Sequence, residues 1–101
     1  MNSWDFFYFF RVDVTDPAGN ARMMLEAVRD GRRVSKSARA AALRALARAE
    51  VARDKLAADP LYSSVKHRME VAVAESALRA AVALRDELGL VAPPSRHRRG
   101  A

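Results

Sequence analysis

The sequence predicts a mainly α-helical protein: a short N-terminal aromatic strand or arm, one short helix, a long antiparallel helical hairpin and a basic C-terminal tail. Three observations lead there. Two Ala/Arg-rich segments, residues 34–59 and 61–90, carry apolar residues at helical spacing and meet at Ala58-Asp59-Pro60-Leu61, where a helix must stop. Six of the seven aromatics fall within the first ten residues, and the run continues as Phe10, Val12 and Val14 against Arg11 and Asp13, the period of a strand. After Pro93-Pro94, which cannot continue a helix, the chain carries three arginines and no acid. The expected organisation is an aromatic strand or arm at 1–14, a helical domain at 15–91, and a mobile basic tail at 92–101.

The stretch Trp4 to Val14 reads as one strand. Its edge groups need a partner, and no second strand is evident in the chain. It pairs with the same strand of another copy, lies across the helices as an extended arm, or plugs the hairpin with aromatic side chains; a continuous helix through the run is the remaining option. Thr15-Asp16-Pro17 is a helix-start signal, with Asp as N-cap and Pro at the first helical position, and Gly19 moves the start toward Asn20. That first helix runs to about Asp30, with Met23, Met24, Ala27 and Val28 on its apolar side and Gly31 as its stop.

Arg32-Arg33-Val34 is the connector, and Ser35 or Ser37 caps a second helix reaching about Ala58. Ala42, Leu46, Ala49 and Leu56 make its narrow apolar stripe, with Leu43 beside it. At 1.5 Å per residue, residues 36–58 span roughly 35 Å. The third helix runs from about Leu61 to Leu88 with Val73, Ala77, Ala80, Leu84 and Leu88 on one side; Glu75 and Arg79 form an i,i+4 pair, and Gly89 closes it.

Half of the 101 residues are hydrophobic, but residues 35–58 hold ten alanines in 24 positions, and a methyl group buries little area. The hairpin alone is therefore poorly stabilised. Either further helices from other copies complete its core, or the first 30 residues fold back onto it. There is no cysteine, which excludes disulfides and thiolate chemistry and fits a reducing compartment. No apolar run approaches the ~18 residues of a membrane span. Phe6 to Phe10 lacks a basic leader and a small-residue cleavage site, so a secretory signal is not expected. The expected setting is the cytoplasm, with no membrane partner.

The net charge of +6 is unevenly placed. Residues 1–34 sum to zero, residues 35–58 carry six basic and two acidic groups, residues 59–91 sum to −1, and residues 92–101 give +3. Positive charge on the second helix and the tail suits a polyanion such as DNA; it also suits a solubilising surface from an arginine-favouring genome. The candidate phosphate contacts are Arg32, Arg33, Lys36, Arg39, Arg44 and Arg48, then Arg96, Arg98 and Arg99 in the tail. The first helix, the Gly31-Arg32-Arg33 turn and the second helix resemble helix-turn-helix geometry. Phe7 and Phe9 of the arm, with Leu46, Val73, Leu84 and Leu88 of the hairpin, are the candidate oligomer or partner interface.

Catalytic signals are weak. His67 stands three residues before Glu70 and reads as a surface polar pair, with no third metal ligand evident. No serine has a nucleophile motif around it, and no glycine-rich phosphate loop is present. The chain reads as a non-enzyme with no cofactor and no metal.

From Gly19 onward the organisation resembles the terminase small subunits of long-tailed phages. Gly19 to Val28 looks like that family's opening short helix, and Val34-Ser35-Lys36-Ser37-Ala38-Arg39-Ala40 resembles the polar-capped start of its long helix. Leu43 to Leu56, with Glu50, Arg53 and Asp54, looks like the long helix itself. Pro60-Leu61 is similar to the Pro-led start of its final helix, and Leu84 to Leu90 followed by Pro93 to its leucine-glycine-leucine ending. The resemblance implies a non-enzymatic DNA-packaging factor of phage origin, acting in the host cytoplasm. Such proteins assemble as homo-oligomers, often rings, recognise phage DNA, and regulate a large subunit that carries the ATPase and nuclease. It also implies that the alanine seams pack neighbouring copies. The alternative reading from the residues is a small phage or bacterial protein-interaction module, a virion adaptor or host-protein inhibitor, binding through the aromatic N-terminus and the hairpin.

Overall fold

The computed structural model describes residues Met1–Pro93, so the tail arginines Arg96, Arg98 and Arg99 lie outside the described residues. A helix starts where an extended residue can offer a side-chain acceptor to an orphan N–H. At the N-terminus that residue is Asn2 (φ −83°, ψ 168°), whose Oδ1 accepts from the Asp5 N–H at 2.8 Å. From there one helical rod runs through α1 (Ser3–Phe10), a π-helical segment (Arg11–Thr15) and α2 (Asp16–Arg29).

The expected aromatic strand is therefore overturned, and no strand forms among the described residues. Neither is Asp16 an N-cap: Thr15 and Asp16 both have helical dihedrals and the rod passes through them. The reason lies in what is buried. Phe6, Phe10, Val14 and Ala18 are spaced by four, Ala21 and Leu25 follow, and all six are buried. Successive steps of four overshoot a 3.6-residue turn, so the stripe would drift around a regular α-helix. The wider π turn takes up that drift. It also falls one turn ahead of Pro17, whose ring would meet the Asp13 carbonyl in an unbroken α-helix. The Asp16 N–H reaches back five residues to the Arg11 carbonyl instead of four.

Gly31 (φ 77°) ends the rod: its N–H bonds the Val28 carbonyl at 3.1 Å and the Arg32 N–H the Ala27 carbonyl at 2.9 Å. α3 (Lys36–Ala57) starts at Ser35, whose Oγ accepts from the Ala38 N–H at 3.1 Å, and stops before Asp59-Pro60. The last helix begins later than Leu61. Residues 60–67 form two 3₁₀ turns, Pro60–Ser63 and Val65–His67, and α4 is Arg68–Glu87. Asp59 Oδ1 accepts from the Leu61 N–H and Ser64 Oγ from the His67 N–H, so two short polar side chains divert the backbone from a regular helix. α4 closes on Gly89 (φ 68°) with the same bonding pattern as Gly31.

α3 and α4 pack as a hairpin, but the N-terminal rod lies against both and touches each more extensively than they touch one another. Residues 1–30 thus fold back and complete the core. At one end Phe6, Phe10 and Val14 pack with Leu56 and Ala74. At the other, Ala18, Ala21 and Leu25 pack with Leu43, Leu46, Ala49, Leu78, Ala81 and Leu84. The order up-down-up follows from these sets. The buried alanines set how near the axes come, since interaxial distance depends on the side chains at the contact. Arg85 donates to Glu50 at 2.9 Å and joins α4 to α3. Glu75 pairs across helices with Arg53 at 3.8 Å and accepts from the Tyr62 hydroxyl, not from Arg79 as its spacing suggests. The body is a slab with principal extents 41 × 37 × 18 Å.

Candidate nucleic-acid and partner interfaces

The basic residues gather where the chain has no acid to offset them. From Gly31 to Ala49 there are six cations and no Asp or Glu. Arg32 and Arg33 are exposed on the loop that the Gly31 turn creates, Lys36 is the exposed first residue of α3, Arg39 and Arg44 are half-buried on that helix, and Arg48 is exposed. None of the six makes an ion pair among the described residues, whereas Arg11, Arg22, Arg29, Arg53 and Arg85 all do. Lys36, Arg39 and Arg44 share one open groove with Leu90, Val91 and Pro93. Arg32 and Arg33 line another beside Met23 and Met24. Arg48 stands on the wall of a third, about 720 Å³, between the rod and the alanine face of α3, with Asp13 on the opposite wall.

The helix-turn-helix likeness does not extend to this geometry. The early residues Phe6, Phe10 and Val14 of the rod pack with Leu56 near the end of α3, and the later Ala18, Ala21 and Leu25 with Leu43, Leu46 and Ala49, so the rod and α3 run antiparallel side by side. Arg44 and Arg48, four apart on α3, therefore project from the slab's surface instead of from a recognition helix set across its partner.

Of the candidate interface residues, the structure brings Phe7 and Val73 into one groove of about 290 Å³ between α1 and α4, with Phe10, Arg11, Thr15, Met69 and Glu70. Phe9 is exposed, its ring edge-on to Tyr8 at 5.3 Å. Leu46 and Leu84 are buried in the core of the single chain and Leu88 packs half-buried against it, so none of these three presents a free face to a partner.

Sequence reasoning missed a polar cluster beside that groove. His67 is only 3% exposed, not a surface group. Its Nε2 shares a 2.6 Å hydrogen bond with the Ser3 hydroxyl, and its ring lies 5.0 Å from Phe6, so it ties the start of α1 to the start of α4. Its Nδ1 stands 3.6 Å from Glu70 Oε1, too long for a hydrogen bond, and both atoms are buried without a partner. Ser3, Trp4, Phe7 and Lys66 complete the rim. A pairing across 64 residues leaves no local signal. Tyr62 gives no such signal either; burial, then its bond to Glu75, raises its phenol pKa, and Arg53 offsets part of that.

Among the described residues no group of three or more His, Cys, Asp or Glu could hold a metal ion, and no helix is long and apolar enough to cross a membrane. The chain matches no family model, no curated protein and no solved structure.

Proposed function

We propose that the protein is a non-enzymatic DNA-binding factor that assembles with copies of itself and serves DNA packaging in the manner of the terminase small subunits it resembles, acting on a large ATPase and nuclease subunit in the cytoplasm. One observation carries the DNA contact: six cations from Arg32 to Arg48 without an acid among them or an ion pair to any described residue. Unpaired cations of one sign meet phosphate and release its counterions, which makes affinity salt-dependent and largely indifferent to sequence. The test is anisotropy of a labelled DNA duplex titrated with the full chain across a salt series. A slope of log affinity against log salt between about −4 and −6 is expected if most of the six reach phosphate. Arg39→Ala, Arg44→Ala and Arg48→Ala each reduce its magnitude by about one. Absence of binding at low salt, or a slope indifferent to all three changes, rejects the assignment.

A second reading has its own observation. Trp4, Tyr8 and Phe9 are exposed, and large aromatics at a surface are the usual anchors of a protein partner. In that reading the chain is an interaction module, a virion adaptor or host-protein inhibitor. Phe7→Ser and Phe9→Ser abolish partner capture while leaving DNA affinity unchanged.

A further inference from the structure

Where the start of α1 meets the start of α4, a hydroxyl, an imidazole and a carboxylate stand in series. The Ser3 hydroxyl lies 2.6 Å from His67 Nε2, and His67 Nδ1 faces Glu70 Oε1 at 3.6 Å. A neutral ring that accepts from Ser3 at Nε2 carries its own proton on Nδ1, toward Glu70. The imidazole is 3% exposed and packs 5.0 Å from the Phe6 ring, so its orientation is held. Neither His67 Nδ1 nor Glu70 Oε1 has a hydrogen-bond partner. A purely structural tie leaves those two atoms unexplained, because a buried polar atom without a partner costs stability. Hydroxyl, base and orienting carboxylate is the order in which a serine nucleophile is activated, and that order is recognised by geometry, not by sequence position.

The surroundings supply what acyl transfer further requires. Ser3 is half-buried on an open groove of about 460 Å³, with Trp4, Phe7 and Lys66 on its rim. The two aromatic walls suit an apolar acyl group. The Asp5 N–H is taken by Asn2 Oδ1 and the Phe6 N–H by the Asn2 carbonyl. The N–H groups of Ser3 and Trp4, in the first turn of α1, have no acceptor among the described residues, and a helix start favours negative charge. Lys66 is exposed and makes no ion pair among the described residues. These are the donors open to an oxyanion that develops beside the Ser3 hydroxyl.

We infer that Ser3, His67 and Glu70 form an acyl-transfer site that hydrolyses small carboxylic esters with an apolar acyl group. His67 Nε2 takes the Ser3 proton as Oγ attacks the ester carbonyl. The tetrahedral adduct collapses, its C–O bond to the alcohol breaks, and His67 returns the proton to the departing alkoxide. Water, deprotonated by the same nitrogen, then cleaves the acyl–Ser3 ester and releases the acid. Ser3 and His67 are the catalytic residues. Glu70 positions the ring and closes on Nδ1 as the ring becomes a cation. Such pairs are often looser before substrate binds than the roughly 2.6–3.2 Å they reach in reaction. The activity goes beyond the proposed function: it replaces only the non-enzymatic part of that reading, and the DNA contact on α3 is separate from it.

The test treats the full chain with a fluorophosphonate ester, locates the adduct by peptide mass spectrometry, and follows hydrolysis of 4-nitrophenyl butyrate in parallel. The wild type is expected to carry the label on Ser3. Ser3→Ala and His67→Gln are each expected to lower kcat/KM by about 10²-fold or more, and the double variant by no more than either alone, because the two act as a unit. Glu70→Gln is expected to lower kcat by at least about tenfold with KM unchanged, the mark of a positioning residue. Circular dichroism checks that each variant keeps the wild-type helical content. Histidine alone also splits such esters, and hydrolysis of that origin survives Ser3→Ala. A wild type without label on Ser3, or hydrolysis unchanged by Ser3→Ala, overturns the site. The salt-dependent DNA affinity is carried by α3 and is read separately in either case.

Discussion

Replacing Phe10 with Ala separates the helical N-terminus from the strand that its sequence suggests. Phe10 is 1% exposed, with the Phe6 ring edge-on at 5.2 Å and the Tyr62 ring stacked at 6.0 Å. Truncating a buried Phe costs about 3–5 kcal/mol in transfer and cavity terms. Two lost aromatic contacts, each ~0.5–1.5 kcal/mol beyond area, place this site at the upper end of that range. A domain of this size has only about 5–15 kcal/mol in all, so the variant loses a large share of its stability. With a urea dependence of about 1–3 kcal/mol per molar, the unfolding midpoint falls by roughly 2 M. Tyr8 is the control. It is 50% exposed, and Tyr8→Ala is expected to cost under about 1 kcal/mol, as exposed sites do. In a strand, Phe6, Tyr8 and Phe10 would share one face and the two changes would cost alike; in a helix, Phe6 and Phe10 share a face and Tyr8 does not. Urea titration followed by circular dichroism reads the difference. If Tyr8→Ala destabilises within about 1 kcal/mol of Phe10→Ala, the helical assignment of this segment is refuted.

Three further substitutions test other parts of the fold. Tyr62→Phe removes the donor to Glu75 and is expected to cost about 1–2 kcal/mol near neutral pH, since Arg53 remains as a partner. The folded phenol pKa is raised, so its contribution is complete below the ordinary value of 10.0 and is lost as pH rises through the higher folded value. Urea midpoints at pH 8 and 11 therefore converge in the variant relative to wild type; an identical alkaline decline in both speaks against the bond. Gly19→Ala and Gly31→Ala should shift the thermal midpoint in opposite directions. Gly19 is helical with open space around a built Cβ, and alanine gains roughly 0.5–1 kcal/mol there. Gly31 needs φ 77°, and alanine loses about 1–2 kcal/mol. A shared sign would contradict the backbone assigned to one of them.

The parts of this fold that could be read from the chain are those set locally. The left-handed glycines Gly31 and Gly89 and the Asp59-Pro60 stop each depend on one or two residues and their neighbours, and each stands where the sequence puts it; of the two serines the sequence offers as a cap, Ser35 is the one that serves. The aromatic run misled because five adjacent large residues fit a period of two and a period of 3.6 equally well. The signal that separates them is the spacing of four from Phe6 through Phe10, Val14 and Ala18, a helical stripe that needs a wide turn. Leu46 and Leu84 were expected at an interface because the alanine-rich hairpin is too thin to bury them alone. The returning rod buries them instead, and that return is a long-range event with no local marker. The same is true of His67, whose partner Ser3 lies at the other end of the chain.

The distribution of ion pairs bears on why the Arg32–Arg48 surface exists at all. Toward the far end of α3 the arginines are tied down: Arg53 to Asp54 and Glu75, and Arg85 of α4 back to Glu50. The Arg53–Glu75 and Arg85–Glu50 pairs link helices; burial lowers the Arg85 pKa, but the bonds to Glu50 and Asp86 more than offset it and the net shift is upward. Among the described residues no ion pair holds the first half of α3. Arg44 and Arg48 are four apart, so they repel by a few tenths of a kcal/mol, and Lys36, Arg39 and Arg44 crowd one groove. A helix chosen only for stability would place glutamates among them, as the second half of α3 does with Glu50 and Asp54. The first half keeps its repulsion, which the proposed contact with DNA phosphate would turn into attraction.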